Sequence, residues 1–286
     1  MSAHRPATLA GVIGWPVQHS LSPKLHGYWL REYGIEGAYV PLPVAPVDFS
    51  RVIDGLRRAG FMGVNVTIPH KQAAFALAHR LDGAAQRTGA VNLLLFAGGG
   101  EIEGRNTDVP GLCASLREEL GADVVKEKAA VVLGAGGAAR AVVLALSELG
   151  AREVRIVNRN DARARTLAAD LQPHIAAALV PGGWSVWPQA AEGAALLVNA
   201  TSAGMAGAPS LEMSFDTLPQ GVAFCDLIYN PLETELLKQA RARGHRAING
   251  LGMLMYQAVP AFEALFGMTP TVTPQLRREL EQALAQ

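Results

Sequence analysis

Charge, cysteine and aromatic residues are all scarce in this chain, and long apolar runs are missing. Of 286 residues, 17% are charged and the formal net charge is +0. That is not the basic excess a nucleic-acid surface needs, so no nucleic-acid partner is expected. Two cysteines, Cys113 and Cys225, make neither a disulfide framework nor a metal motif. They read as reduced core thiols of a cytoplasmic protein with no metal site. Every stretch of about 18 residues is broken by a charge or a glycine, which argues against a membrane span. The opening MSAHRPATLAGVIGWPVQHS has one early arginine and a short apolar stretch ending at Trp15-Pro16. It reads as a first strand, not a signal peptide. No internal repeat and no low-complexity segment stands out.

What the chain does have is apolar residues, at 50%. A chain of this length buries roughly 75% of its unfolded surface and suggests about two domains. Strands are expected over 7–14, 38–44 and 63–68. Helices are expected over 23–33, 46–59 and 70–79, and 90–96 with 101–106 reads as a hairpin. From residue 129 a second alternation begins: strand, glycine turn and helix to 150, a strand at 153–160, then a helix. Further strands lie at 195–201 and 221–230, and a helix follows that Gly244 caps. Helices at 251–266 and 273–285 close the chain, and AGGGE and VPGGW read as loops. The pattern predicts an α/β fold: an N-terminal α/β domain with a mostly parallel sheet, and a Rossmann-type dinucleotide-binding domain. A cleft between them is the expected site.

GAGGAA, residues 134–139, fits G-x-G-x-x-A and lies between the apolar strand AAVVL and a helix, the context such a motif requires. Gly134 permits the tight turn, Gly136 lets a pyrophosphate approach, and Ala139 keeps helix and strand close. The amides around Ala135, Gly137 and Ala138 would meet phosphate at the helix N-terminus. About twenty residues on, where an NAD site offers a carboxylate to the ribose, stand Asn158 and Arg159, with Arg163 one helical turn later. Two guanidiniums suit a 2′-phosphate, so NADP is expected. Asp161 is the complication, because a small shift would turn its carboxylate toward the ribose.

Polar residues gather at strand ends of the first half: Ser20 and Ser22; Asn65, Thr67 and Lys71; Asn92; then Asn106, Thr107 and Asp108. In GVNVTIPHK the apolar Val64, Val66 and Ile68 alternate with Asn65 and Thr67, which places the polar pair on one strand face. Hydroxyls, amides, one ammonium and one carboxylate make a neutral set suited to a polyol. Bland roles are open to some of them: Ser22 and Asp108 each read as helix N-caps.

The stretches SLSPKLH, GVNVTIPHK, GAVN, GRNTD, GAGGAAR, NRNDAR, NATSAGM, DLIYNP and GLGMLMYQ, in that order over residues 20–257, resemble the shikimate dehydrogenase family. The resemblance implies NADPH-dependent reduction of 3-dehydroshikimate to shikimate, with a C-terminal helix pair returning to the substrate domain. The domains would be 1–108 plus 251–286, for substrate, and 109–250, for NADP. It implies Lys71 and Asp108 as the catalytic pair. Ser20, Ser22, Thr67, Asn92 and Gln257 would bind substrate, and Asn65 joins them from its strand position. Tyr229 would lie near substrate and nicotinamide, while Thr201, Leu227 and Gly250 would line the cofactor path. Three departures touch the shape of the pocket: Leu93 follows Asn92 where threonine is frequent, Val109 follows Asp108 where glycine is frequent, and Gly27 replaces a frequent asparagine. A quinate or dual quinate/shikimate dehydrogenase using NAD or NADP is the alternative. A non-catalytic NADP-binding regulator would have lost a catalytic group, yet Lys71 and Asp108 both stand. The oligomeric state stays open, with a homodimer among the expectations.

The arginine pair predicts tighter binding of NADP than of NAD. Titration with both dinucleotides checks this, and NAD binding at least as tightly would remove the 2′-phosphate assignment.

Overall fold

The computed structural model describes residues 7–213, 215–216 and 218–285. Their contacts divide into two units: the residues up to Thr107 with Gln257–Ala283, and Asp108–Tyr256 with the last few residues.

The first unit is built on a six-stranded sheet of β1 (Thr8–Gly14), β2 (Gly37–Pro43), β3 (Phe61–Val66), β4 (Arg80–Leu81), β5 (Leu93–Phe96) and β6 (Ile102–Arg105), ordered β2-β1-β3-β5-β6-β4. β1 pairs in parallel with β2 and β3, while β3–β5 and β5–β6 are antiparallel. Period-two alternation works on both faces. Ile13, Val64, Val66 and Leu94 pack under Phe49, Ile53 and Ala74. Ala10, Val12 and Leu93 pack on the opposite face with Tyr39, Ala261 and Leu265. Asn65 therefore lies on a face that is itself buried, not on one opposed to a single apolar face.

The second sheet, among the described residues, holds β7 (Ala129–Leu133), β8 (Glu153–Val157), β9 (Ala178–Gly182), β10 (Ala194–Asn199), β11 (Ala223–Asp226) and β12 (Ala247–Ile248). All of its pairs are parallel and the order is β12-β11-β10-β7-β8-β9. The order reverses between β7 and β10, and that switch point is where open α/β sheets bind ligands.

Several expectations need correction. VPGGW is not only a loop, since Val180, Pro181 and Gly182 belong to β9. β9 is the sheet's edge, the place that tolerates a residue without an N–H. The expected helix at 46–59 begins as a 3₁₀ turn, Pro46–Asp48, and becomes α-helical over Phe49–Arg58. Leu21, not Ser22, holds the N-cap of helix Ser22–Glu32. Asp108 is the first residue of helix Asp108–Leu120. The short β4 and β12 and the helices Gly83–Thr88 and Trp187–Ala191 carry too few residues to show a period.

One close approach tests the first sheet. A Cβ on Gly63 would fall 2.3 Å from the Leu94 carbonyl oxygen and 2.9 Å from the Leu265 side chain. The carbonyl is bound into the ladder and cannot yield. Gly63→Ala should cost about 1–3 kcal/mol of stability, read as a lower urea midpoint; an unchanged midpoint would show that β3 and β5 separate freely.

Candidate active site

In the first unit, the chain leaves β1 and β3 and enters β5 through segments whose main chains hold one another. Thr67 N donates to Ile13 O at 2.8 Å, Trp15 N to Ile68 O at 2.9 Å, and Val66 N to Asn92 O at 2.8 Å. Gly14 is needed here, because a Cβ would sit 2.5 Å from the Thr67 methyl. Lys71 is half-buried and begins the helix Lys71–Leu77; its carbonyl accepts from Val91 N at 3.0 Å.

Asn92 gathers the polar set. Its Nδ2 donates to Thr107 Oγ1 at 2.9 Å and to Gln257 Oε1 at 3.4 Å, and its Oδ1 accepts from Thr107 N at 2.7 Å. Thr107 Oγ1 also reaches Gln257 Oε1 at 3.3 Å. Asn65 Nδ2 donates to Asn92 O at 3.2 Å, and Asn65 Oδ1 accepts from the Tyr39 hydroxyl at 2.8 Å. Asn65, Asn92 and Gln257 are thus brought together, and Asn65 is engaged at both ends of its amide within this unit. Ser20 and Ser22 meet through Ser22 N donating to Ser20 Oγ at 3.2 Å. The buried Asn106 amide donates to Thr88 Oγ1 and Ala90 O, and Asn106 N donates to Asp82. Burial pushes the Asp82 carboxyl up, against the backbone donors Ala85 N and Asn106 N that lower it.

Sequence reasoning missed Tyr39, Thr107 as a direct partner of Asn92 and Gln257, and His26. The His26 ring stacks on Tyr39 with centroids 3.9 Å apart and planes 5° from parallel, and Trp29 and Phe262 lie beside it. Neither ring nitrogen has a hydrogen-bond partner. Burial lowers its pKa from 6.5 to about 3.

The second unit carries the dinucleotide features at its switch point. Gly134 has φ +109°, and its N donates to Val157 O at 2.8 Å. Gly136 is the N-cap of the helix Gly137–Glu148, with no side-chain cap, and a Cβ on it would meet open space. The protein's own packing does not demand glycine there, whereas a phosphate seated on the first-turn amides does. Ala135, Gly137 and Ala138 are half-buried around this turn. Asn158 Nδ2 donates to Asn160 O at 2.8 Å. Arg159 and Arg163 are exposed and make no ion pair among the described residues. Asp161 is turned along its own helix to Arg165, Oδ2 to Nε 2.8 Å, so its carboxylate does not oppose the two free guanidiniums. These residues fit a dinucleotide with a 2′-phosphate. Asn199 Oδ1 accepts from Thr201 N at 3.1 Å and from Thr201 Oγ1 at 2.8 Å. Gly250 packs so tightly on Leu227 that a Cβ would lie 2.0 Å from the Leu227 carbonyl oxygen. Tyr229 is half-buried just past β11. Asp108 is buried, and its carboxylate at a helix N-terminus is favoured by the helix dipole.

The chain matches the family described as shikimate dehydrogenase substrate binding domain over residues 12–94, and shikimate / quinate 5-dehydrogenase over residues 117–185. A shikimate dehydrogenase (NADP(+)) of Paramagnetospirillum magneticum is 50% identical over 271 residues, 95% of this chain and 97% of its own. The solved shikimate 5-dehydrogenase of Thermus thermophilus, in complex with NADP(H) and shikimate, superposes with a TM-score of 0.83 at 37% identity, covering 97% of this chain and 99% of that one. Quinate dehydrogenase of Corynebacterium glutamicum, in complex with NAD, superposes with a TM-score of 0.86 at 30% identity, covering 98% and 99%.

The orphaned imidazole gives a pH prediction. Below pH 6.5 the unfolded chain protonates His26 while the folded one stays neutral until about pH 3. Stability is therefore complete above 6.5 and falls on acidification, by up to ~1.4 kcal/mol per pH unit for this one proton. His26→Phe should flatten that slope between pH 6 and 4 by about one proton, measured by urea denaturation; an identical slope in both proteins would mean that the ring is protonated in the fold.

Proposed function

The chain belongs to the shikimate dehydrogenase family, and we propose that it catalyses the reversible NADPH-dependent reduction of 3-dehydroshikimate to shikimate, with Lys71 and Asp108 as its catalytic pair. What carries the reading is the pairing, in one chain, of an all-parallel sheet with a glycine turn at its switch point and a neutral, amide- and hydroxyl-rich set at the strand ends of the other sheet. Half the positions match an NADP-dependent relative across nearly the whole chain.

Under this proposal residues 1–108 with 251–286 bind substrate and 109–250 bind the dinucleotide. When bound, NADPH supplies the hydride that reduces the ketone. Lys71 offers its ammonium to the carbonyl oxygen as negative charge develops there, and gives that oxygen a proton; in the oxidising direction it takes the hydroxyl proton back. A donor aimed in advance at developing charge is the strongest help a site of this kind can give. Asp108 accepts from the substrate hydroxyl and orients it. Ser20, Ser22, Thr67, Asn92 and Gln257 hold the carboxylate and hydroxyls, Asn65 keeps Asn92 in place, and Tyr229 stands beside substrate and nicotinamide. Gly134 to Ala138 take the pyrophosphate, Arg159 and Arg163 with Asn158 take the 2′-phosphate, and Thr201, Leu227 and Gly250 line the cofactor's path.

The cytoplasm suits the two buried thiols, which burial makes unreactive: Cys113 is pushed up to about 11 and Cys225 further still. No helix among the described residues is long and apolar enough to cross a membrane. The oligomeric state stays open, with a homodimer among the candidates. The quinate dehydrogenase likeness makes quinate the second candidate substrate.

Absorbance at 340 nm with shikimate or quinate, and NADP or NAD, decides among these. Lys71→Ala should lower kcat by about 10²- to 10⁴-fold while KM moves little. Asp108→Asn should also be slow. Near-normal kcat in the Lys71 variant would remove that residue from the chemistry.

A further inference from the structure

Asn199 ends β10 and Asp226 ends β11, and the two are direct partners in the register, so their side chains leave the sheet side by side. Asp226 is fully buried. Its Oδ1 accepts from Asn199 Nδ2 at 3.0 Å and Ile228 N at 3.2 Å, and its Oδ2 accepts from Thr234 Oγ1 at 2.7 Å. Three donors converge on a carboxylate that none of the steps above uses.

The arrangement has a direction. Because its Nδ2 faces the carboxylate, Asn199 must point Oδ1 the other way, where it accepts from both the N and Oγ1 of Thr201. A flipped amide would set an oxygen against the carboxylate and repel it. Thr201 in turn presents its methyl 3.1 Å from where a Cβ on Gly134 would sit, so it forms the wall beside the glycine turn. The loop from Leu227 to Tyr229 hangs from the same carboxylate through Ile228 N, and helix Glu235–Ala242 begins at Thr234, its N-cap.

We propose that Asp226 is a positioning residue for the dinucleotide: a buried hydrogen-bond hub that, acting through Asn199, holds Thr201 against the glycine turn and fixes the start of the Leu227–Tyr229 loop. This rests on the NADP reading. Burial raises the Asp226 pKa, and the Thr234, Ile228 and Asn199 donors work against that rise. Asparagine at 226 keeps the shape but not the acceptors. In one orientation its NH₂ meets the Asn199 NH₂ and the Ile228 N–H. In the other it forces the Thr234 hydroxyl to turn and lose its acceptor. The first orientation loses two bonds of the hub and the second loses one.

The test compares wild type with Asp226→Asn, Thr234→Val and Thr234→Ser, reading NADPH affinity by nicotinamide fluorescence and KM for shikimate by turnover. Asp226→Asn and Thr234→Val should weaken NADPH about fivefold or more, Thr234→Ser should restore it, and KM for shikimate should stay within about twofold. Unchanged NADPH affinity in the folded variants overturns the proposal. So does a loss of NADPH and shikimate affinity in proportion to a fall in Tm, which marks a merely structural role. If Asp226→Asn does not fold, the Thr234 pair decides alone. A wild type that binds NADPH but does not oxidise shikimate defeats the substrate assignment and leaves the hub to the fluorescence titration. A wild type active on shikimate whose variants bind NADPH normally defeats the hub alone.

Discussion

The side-chain amide of Asn92 is the joint on which the substrate unit hangs. A buried amide costs free energy unless its hydrogen bonds are made; the Asn92 side chain makes them with Thr107 and Gln257, and its main-chain carbonyl accepts from Val66 and Asn65. Gln257 stands on helix Leu251–Phe266, 165 residues away. Packing and polarity there depend on each other. Ala261 and Leu265 of that helix fill the sheet face behind Leu93, which keeps water from the amides, and the amides set the register at which the helix lies down. Asp108, the carboxylate proposed for catalysis, follows Thr107 directly, so its main chain is anchored one residue away.

The second unit meets a related demand in its own way. Where a parallel strand ends, the ladder stops satisfying main-chain donors, and buried N–H groups need other partners. Asn199, Asp226 and Asn249 each accept from the N–H two residues on, at Thr201, Ile228 and Leu251. These short side chains turn the chain sharply at the strand ends. The edge that receives the dinucleotide is therefore rigid for reasons local to each strand, and it is drawn together where Asn199 meets Asp226.

Much of this was legible from residue order. β3 shows its period, β7 is an unbroken apolar run, and GAGGAA between a strand and a helix announces its own turn. β4 and β12 have two residues each and exist only because β6 and β11 offer them a neighbour. β9 was hidden by Pro181, since a proline speaks against a strand unless its edge position is known. Asn65 misled for a tertiary reason: alternation predicts one buried face, but helix Leu251–Phe266, nearly two hundred residues later, buries the other as well. Gln257 could be named only by resemblance, because nothing in the periodicity of an apolar helix marks one polar residue as the partner of Asn92. Tyr39 and His26 left no signal at all, because stacking of two rings from a helix and an edge strand has no sequence spacing.

Two buried ionisable groups show how differently the same desolvation is handled. Burial drives both toward neutrality, His26 downward and Asp226 upward. Asp226 is surrounded by donors, and each one returns part of the lost hydration to the charged form. His26 has no donor or acceptor within reach of either nitrogen and lies instead among Trp29, Tyr39 and Phe262. An unpaired buried N–H costs about 1–3 kcal/mol, and a phenyl ring in its place would not carry that cost. The compensation visible in the structure is the flat contact with Tyr39, whose hydroxyl holds Asn65, which in turn holds Asn92. The stability lost at the imidazole is thus set against order in the amide chain that the substrate unit depends on.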